Sequence, residues 1–154
     1  MPVENYFEEF ETERVYSHHW GRTLTSGDGT LFASLMCQAN PAYFNEEYAR
    51  HLGYRGMVVP PALVLSTVLG LSVEDNSEGG GPFLGMSQVR FHRPVYPGDT
   101  LYAESEVVEK RVSTSRPGWG VVTWRTVGRN QEGDVVVELK RSNLVRMRQA
   151  GKGA

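Results

Sequence analysis

Few side chains in this chain could exchange a proton or hold a metal near neutral pH, and their spacing decides between those uses. His18 and His19 are neighbours in a segment rich in β-branched and aromatic residues. Adjacent strand residues point to opposite faces, so the pair cannot chelate one ion together. No Cys/His/Asp spacing elsewhere completes a ligand set, and no metal is expected. His92, between Phe91 and Arg93, reads as a solvated strand histidine. Cys37 reads as a small buried hydrophobe, since a nucleophilic thiol needs a depressed pKa. Gly79-Gly80-Gly81 precedes a strand and lacks a following Lys-Ser/Thr, so it is read as a mobile loop and not a phosphate cradle. Arg90, Arg93, Arg125 and Arg129 fall on strands. Guanidinium suits phosphate geometry, so they could meet an anionic ligand, although each alone reads as a solvated strand residue. No Gly-x-Ser-x-Gly elbow occurs, which disfavours an α/β-hydrolase.

The scaffold for these groups is one domain of 154 residues, long enough to bury a full core. A net charge of −2 offers no footprint for nucleic acid or an anionic membrane. A single cysteine excludes an intrachain disulfide and fits a reducing compartment. Residues 1–13 are acidic without an apolar run, unlike a signal peptide. The longest apolar stretch, residues 57–73, is broken by prolines and polar groups and is too short for a bilayer. A cytoplasmic protein is expected, with residues 149–154 frayed.

Periodicity then places the elements. Residues 14–24 read as a strand. Thr25 offers a hydroxyl cap and Asp28 an acid in the first turn of a helix running to about Cys37. Leu31, Phe32, Leu35 and Met36 recur there at amphipathic spacing. Asn40-Pro41 ends that helix, and Asn45 caps a short one over residues 46–52. Pro60-Pro61 opens the next helix, residues 62–73, which is apolar on nearly every side and so must be enclosed by other structure. A loop is expected over residues 74–82. Strands follow at 83–92, 100–112, 119–129 and 135–148, with turns at 94–99, 113–118 and 130–134. Strands well beyond the usual ~5–6 residues suit a curved sheet. A long antiparallel sheet wrapped around one central hydrophobic helix is the α+β arrangement called the hot-dog fold.

Two segments carry a family resemblance. Gln38-Ala39-Asn40-Pro41-Ala42-Tyr43-Phe44-Asn45-Glu46-Glu47-Tyr48-Ala49 and Val89-Arg90-Phe91-His92-Arg93-Pro94-Val95-Tyr96-Pro97-Gly98-Asp99 resemble the MaoC-like dehydratases, which include the R-specific enoyl-CoA hydratases. The family's first signature is Asp-x-Asn-Pro-x-His. The resemblance covers nearly the whole chain. It implies a homodimer, or a dimer of dimers, whose edge strands join into one sheet, with acyl-CoA at the subunit boundary and the acyl chain in a tunnel beside the central helix. The implied reaction is reversible hydration of an enoyl-CoA; coenzyme A thioester enters as substrate or ligand, with no cofactor. Pro61, Cys37, Arg90 and Arg93 are the implied substrate-binding positions.

The chain departs from the family where the chemistry is done. The family's aspartate falls on Gln38 and its histidine on Tyr43. Glutamine cannot exchange a proton, and tyrosine, with an ordinary pKa of about 10, is a poor base. The glycine whose N–H polarises the thioester carbonyl falls on Pro61, which has no N–H. Asn40 is retained and turns the chain. Three readings remain open: hydro-lyase chemistry with another residue set, such as Cys37, Tyr43 or Glu46; acyl-CoA binding without turnover, as a partner subunit; or a fold kept for interaction alone. A hot-dog thioesterase is more distant.

Overall fold

The computed structural model describes residues 5–79 and 81–148. The tail expected to fray and Gly80 lie outside them. In chain order the elements are β1 Val15–Ser17, β2 Arg22–Thr23, α1 Ser26–Leu35, α2 Glu46–His51, α3 Pro61–Leu71, α4 Val73–Asn76, β3 Phe83–Phe91, β4 Thr100–Val112, β5 Trp119–Arg129 and β6 Val135–Arg146. Short 3₁₀ turns occupy Phe7–Glu9 and Pro41–Tyr43. The sheet is antiparallel in the order β1-β4-β5-β6-β3, with β2 also on β4. The four long strands, the three turns between them and the central helix are as the sequence predicts, and the fold is a hot dog.

Helix α3 lies on the concave face. Val64 and Val68 are buried against Leu101, Ala103, Val137 and Leu139. The close approach depends on Gly128 of β5: a Cβ there would come within 2.5 Å of Val68 Cγ2. The rest of the helix is less enclosed than its all-round greasiness predicts. Leu63, Leu65, Leu69 and Leu71 are only partly buried, and Leu63, Thr67, Gly70 and Leu71 border an open groove with Trp20 and Arg22.

Eleven helical residues cover only part of such long strands. The remainder is covered by the N-terminal segment, where Phe7 and Phe10 pack on Val122, Trp124 and Val145, Phe10 edge-on to the Trp124 indole at 5.2 Å. Gly120 makes room for the Phe7 ring. Between the two apolar cores runs a polar band. His18 Nδ1 meets Asp75 Oδ2 at 2.5 Å and its Nε2 meets Ser105 Oγ at 2.9 Å, with Thr126 Oγ1 a further 2.9 Å from that hydroxyl. Arg141, 2% exposed, crosses the same band to donate to the Ser72 carbonyl at the end of α3.

Four expectations need correction. The strand over residues 14–24 is two short strands, because His18 turns inward between them to reach Asp75. The loop expected after residue 73 begins with a helical turn, α4, that supplies Asp75. In α1 the amphipathic stripe faces outward: Leu31, Leu35 and Met36 are each more than half exposed, while Gly29 and Ala33 are buried. Gly29 lies beside Pro60, where an added Cβ would sit in ordinary contact with the proline ring at 3.4 Å. Finally, Cys37 is exposed, not buried.

Candidate functional site

The site forms where three loops meet at the N-terminal end of α3. The first leaves α1. Thr25 and Asp28 close a reciprocal cap at that helix's start, with Thr25 Oγ1 accepting from the Asp28 N–H and the Asp28 carboxylate from the Thr25 N–H. At its other end Cys37 adopts φ 54°, which lets the Gln38 N–H reach the Ala33 carbonyl (2.8 Å) and the Cys37 N–H the Ser34 carbonyl (3.3 Å). That paired bonding is the usual left-handed stop of a helix. Cys37 therefore serves the backbone turn and presents its thiol to solvent.

The chain then enters the Asn40-Pro41 turn. Asn40 Oδ1 accepts from the Ala42 N–H at 3.1 Å, which caps the 3₁₀ turn, and Pro41 takes its first position. The Ala42 carbonyl accepts from the Val58 N–H (3.1 Å), tying this loop to the one that leads into α3. Val59 N–H in turn donates to the Val95 carbonyl (2.8 Å) in the loop after β3. Asp99 anchors that third loop: it accepts from the Tyr96 N–H, Arg55 and Gln131, while the Arg55 guanidinium lies 4.1 Å above the Tyr96 ring. Three separated segments are thus laced together by backbone bonds.

They enclose a cleft of about 300 Å³. Asn40, Tyr43, Pro61 and Arg93, all singled out from sequence, line it, with apolar walls from Val58, Val59, Val64 and Val95. Its volume is at the small end for ligand sites. The other named residues lie elsewhere. Gln38 is half-buried and outside the lining, Cys37 is on the surface, and Arg90 borders a separate groove with Gln88, Arg125, Glu138 and Lys140. Arg93 is paired with Asp134 at 3.0 Å. Glu46 is occupied by the Met57 N–H and Arg50.

His92, expected as a solvated strand histidine, is exposed and also lines the cleft. His92 stands just past the end of β3, on the rim between the cleft and the outer face of the sheet. Its Nε2 lies 3.3 Å from Glu138 Oε1, and Glu138 is also held by Arg125 at 2.7 Å. The Arg125 bond, with smaller help from its charge and from His92, keeps the Glu138 carboxyl below the ordinary carboxylate range. The signal was its place inside Arg90-Phe91-His92-Arg93-Pro94, where the strand stops and the loop begins.

The Asp75–His18–Ser105 chain has the connectivity of a nucleophilic triad but not its access. Ser105 is 1% exposed, on the packed face of β4, and its hydroxyl is bonded on both sides. A nucleophile must meet a substrate; this network is a core clasp. Among the described residues no group of three His, Cys, Asp or Glu is placed to hold a metal ion, and no helix is long and apolar enough to cross a membrane.

A family model for mesaconyl-CoA hydratase matches residues 3–153. The chain belongs to that family of MaoC-like dehydratases. It is 37% identical over 146 residues to the mesaconyl-CoA hydratase of Haloarcula marismortui, a match covering 94% of this chain and 41% of that protein. It is 35% identical over 144 residues to the β-methylmalyl-CoA dehydratase of Chloroflexus aurantiacus, again 94% of this chain and 41% of the other. A solved MaoC-domain dehydratase from Chloroflexus aurantiacus superposes with a TM-score of 0.91 at 34% identity, over all of this chain and 44% of that one. The chain therefore spans about two fifths of the length of these MaoC-like relatives.

Proposed function

We propose that this chain serves a hydro-lyase reaction, the reversible addition of water across the C2=C3 bond of a 2-enoyl-CoA, in a site that differs from the family's. The observation that carries this reading is the cleft itself. In a chain of the mesaconyl-CoA hydratase family, the retained Asn40-Pro41 turn, Tyr43, the start of α3 and the loop after β3 border one cavity. In this reading Gln38 and Tyr43 stand where the family's aspartate and histidine would be, so Tyr43, beside Tyr54 in the lining, offers a hydroxyl to orient a water and Gln38 serves only the turn. After Pro60 and Pro61, the first backbone N–H that α3 can offer a thioester carbonyl is that of Ala62. Among the described residues strand β3 is an edge, paired on one side with β6, with Phe83, Leu84, Met86 and Phe91 roughly half exposed, which suits pairing with a second hot-dog domain. In this reading a homodimer forms there, and the coenzyme portion lies along the boundary.

The test is direct. Purified protein is mixed with crotonyl-CoA and with mesaconyl-CoA, and loss of the enoyl-thioester absorbance is followed. Hydration of either supports the reading. No turnover of short, branched or medium acyl chains, with binding still measurable by calorimetry, would replace it by a second reading: an acyl-CoA-binding partner whose acid and base come from another domain. The curated relatives' greater length favours keeping that alternative, since more than half of each lies outside the match.

A further inference from the structure

We infer that His92 is the proton-transferring residue of this cleft, with Glu138 as its positioning residue; this deepens the hydro-lyase reading and rests on it. The site lacks a group that exchanges protons near neutral pH at the two family positions, because Gln38 is an amide and Tyr43 a phenol. Among the residues lining the cleft, His92 carries the one imidazole, the side chain whose ordinary titration falls in that range.

Its surroundings suit the role. The backbone is fixed by one ladder bond, His92 N–H to the Val136 carbonyl at 2.9 Å, just where β3 releases the chain into the cleft wall. Glu138 approaches Nε2 from β6 and is itself pinned by Arg125 of β5. A carboxylate on one ring nitrogen fixes the tautomer, with the hydrogen on Nε2, and leaves Nδ1 with a lone pair. No other protein group among the described residues bonds the ring. The ionisable groups around it are Glu138 on β6, Arg125 on β5, Arg90 and Arg93 on its own segment, and Tyr43 and Tyr54 of the cleft lining; Arg93 is paired with Asp134. In hydration, Nδ1 takes a proton from water as the oxygen bonds to C3. The π electrons pass into the thioester enolate, and the imidazolium returns its proton to C2. One water is consumed, H and OH are added, and the ring ends as it began.

The experiment compares the unaltered chain with His92→Asn and Glu138→Gln, using crotonyl-CoA and mesaconyl-CoA, with calorimetry for binding. For His92→Asn, kcat is expected to fall by about 100-fold or more, the lower range for general acid–base catalysis, with KM little changed and the acid limb of the pH profile lost. For Glu138→Gln the expected fall in kcat is about tenfold with KM little changed, and Glu138→Asp, which keeps the carboxylate, is expected to recover most of it. A merely structural Glu138 would show no such split between kcat and KM and no such recovery. Full kcat in His92→Asn overturns the inference and leaves the hydratase reading standing. Thioester binding without turnover by the unaltered chain overturns both.

Discussion

Val68 of α3 sits in the hollow left by the missing side chain of Gly128, and this contact sets the depth at which the central helix lies on the sheet. A Cβ at residue 128 would also approach Val137 Cγ1 to 3.0 Å, so two stiff β-branched side chains would have to shift at once. Gly128→Ala is therefore expected to destabilise the protein by about 1–3 kcal/mol, the range for overpacked cores. Urea unfolding followed by tryptophan fluorescence measures it. An unchanged midpoint would mean that the helix is seated by other contacts.

Among the described residues Arg141 is a buried cation without a carboxylate partner. Its Nε, the Asn76 side-chain amide, the Trp124 indole N–H and the Asn143 Oδ1 have no hydrogen-bond partner among them. Burial pushes the guanidinium down to about 10. A base held below its unfolded value disfavours folding while it is charged, so the cost is present at every pH below about 10 and is relieved only above it. Replacing it by an apolar residue of similar length removes that cost. Arg141→Met is expected to match or exceed the original chain by about 1 kcal/mol at neutral pH, whereas Arg141→Ala leaves a void and lowers the Tm.

The Thr25–Asp28 cap predicts a pH dependence. The Asp28 carboxyl is held below its ordinary value first by the Thr25 N–H, then by the Thr25 hydroxyl and Arg22. The stabilisation from a lowered carboxyl is present above the unfolded value, about 4, and is lost as pH falls through the folded one. Asp28→Asn should therefore flatten part of the fall in Tm below about pH 4. Thr25→Ala is expected to cost about 1 kcal/mol at neutral pH. A Tm–pH curve for Asp28→Asn that parallels the original would remove the cap from the account.

Tyr43 offers a gain-of-function measurement. An imidazole placed on the cleft wall by Tyr43→His should raise the crotonyl-CoA hydration rate by at least about tenfold, a conservative share of what such groups contribute. Tyr43→Phe should lower it severalfold. If Tyr43→His folds, as judged by circular dichroism, and hydrates no faster, Tyr43 does not stand where water is activated.

The sequence by itself determined the parts whose causes are local. Alternation along the strands, glycine and proline in the turns, the Thr25 and Asn45 caps and the double proline before α3 each depend on a few consecutive residues, and each element they predict is present. Tertiary structure decided what depends on distant partners. Phe7 and Phe10 are buried because β5 presents Gly120 and Trp124 to them, although the segment around them is acidic and has no apolar run. The apolar residues of α1 face outward while Gly29 and Ala33 face inward, Gly29 beside Pro60. Asn40, Pro61 and His92 share a cleft because backbone bonds from Val58 and Val59 draw three loops together. Periodicity records which side of an element is greasy, but the choice of what covers it, and of which loop ends meet, is made by packing between residues far apart in the chain.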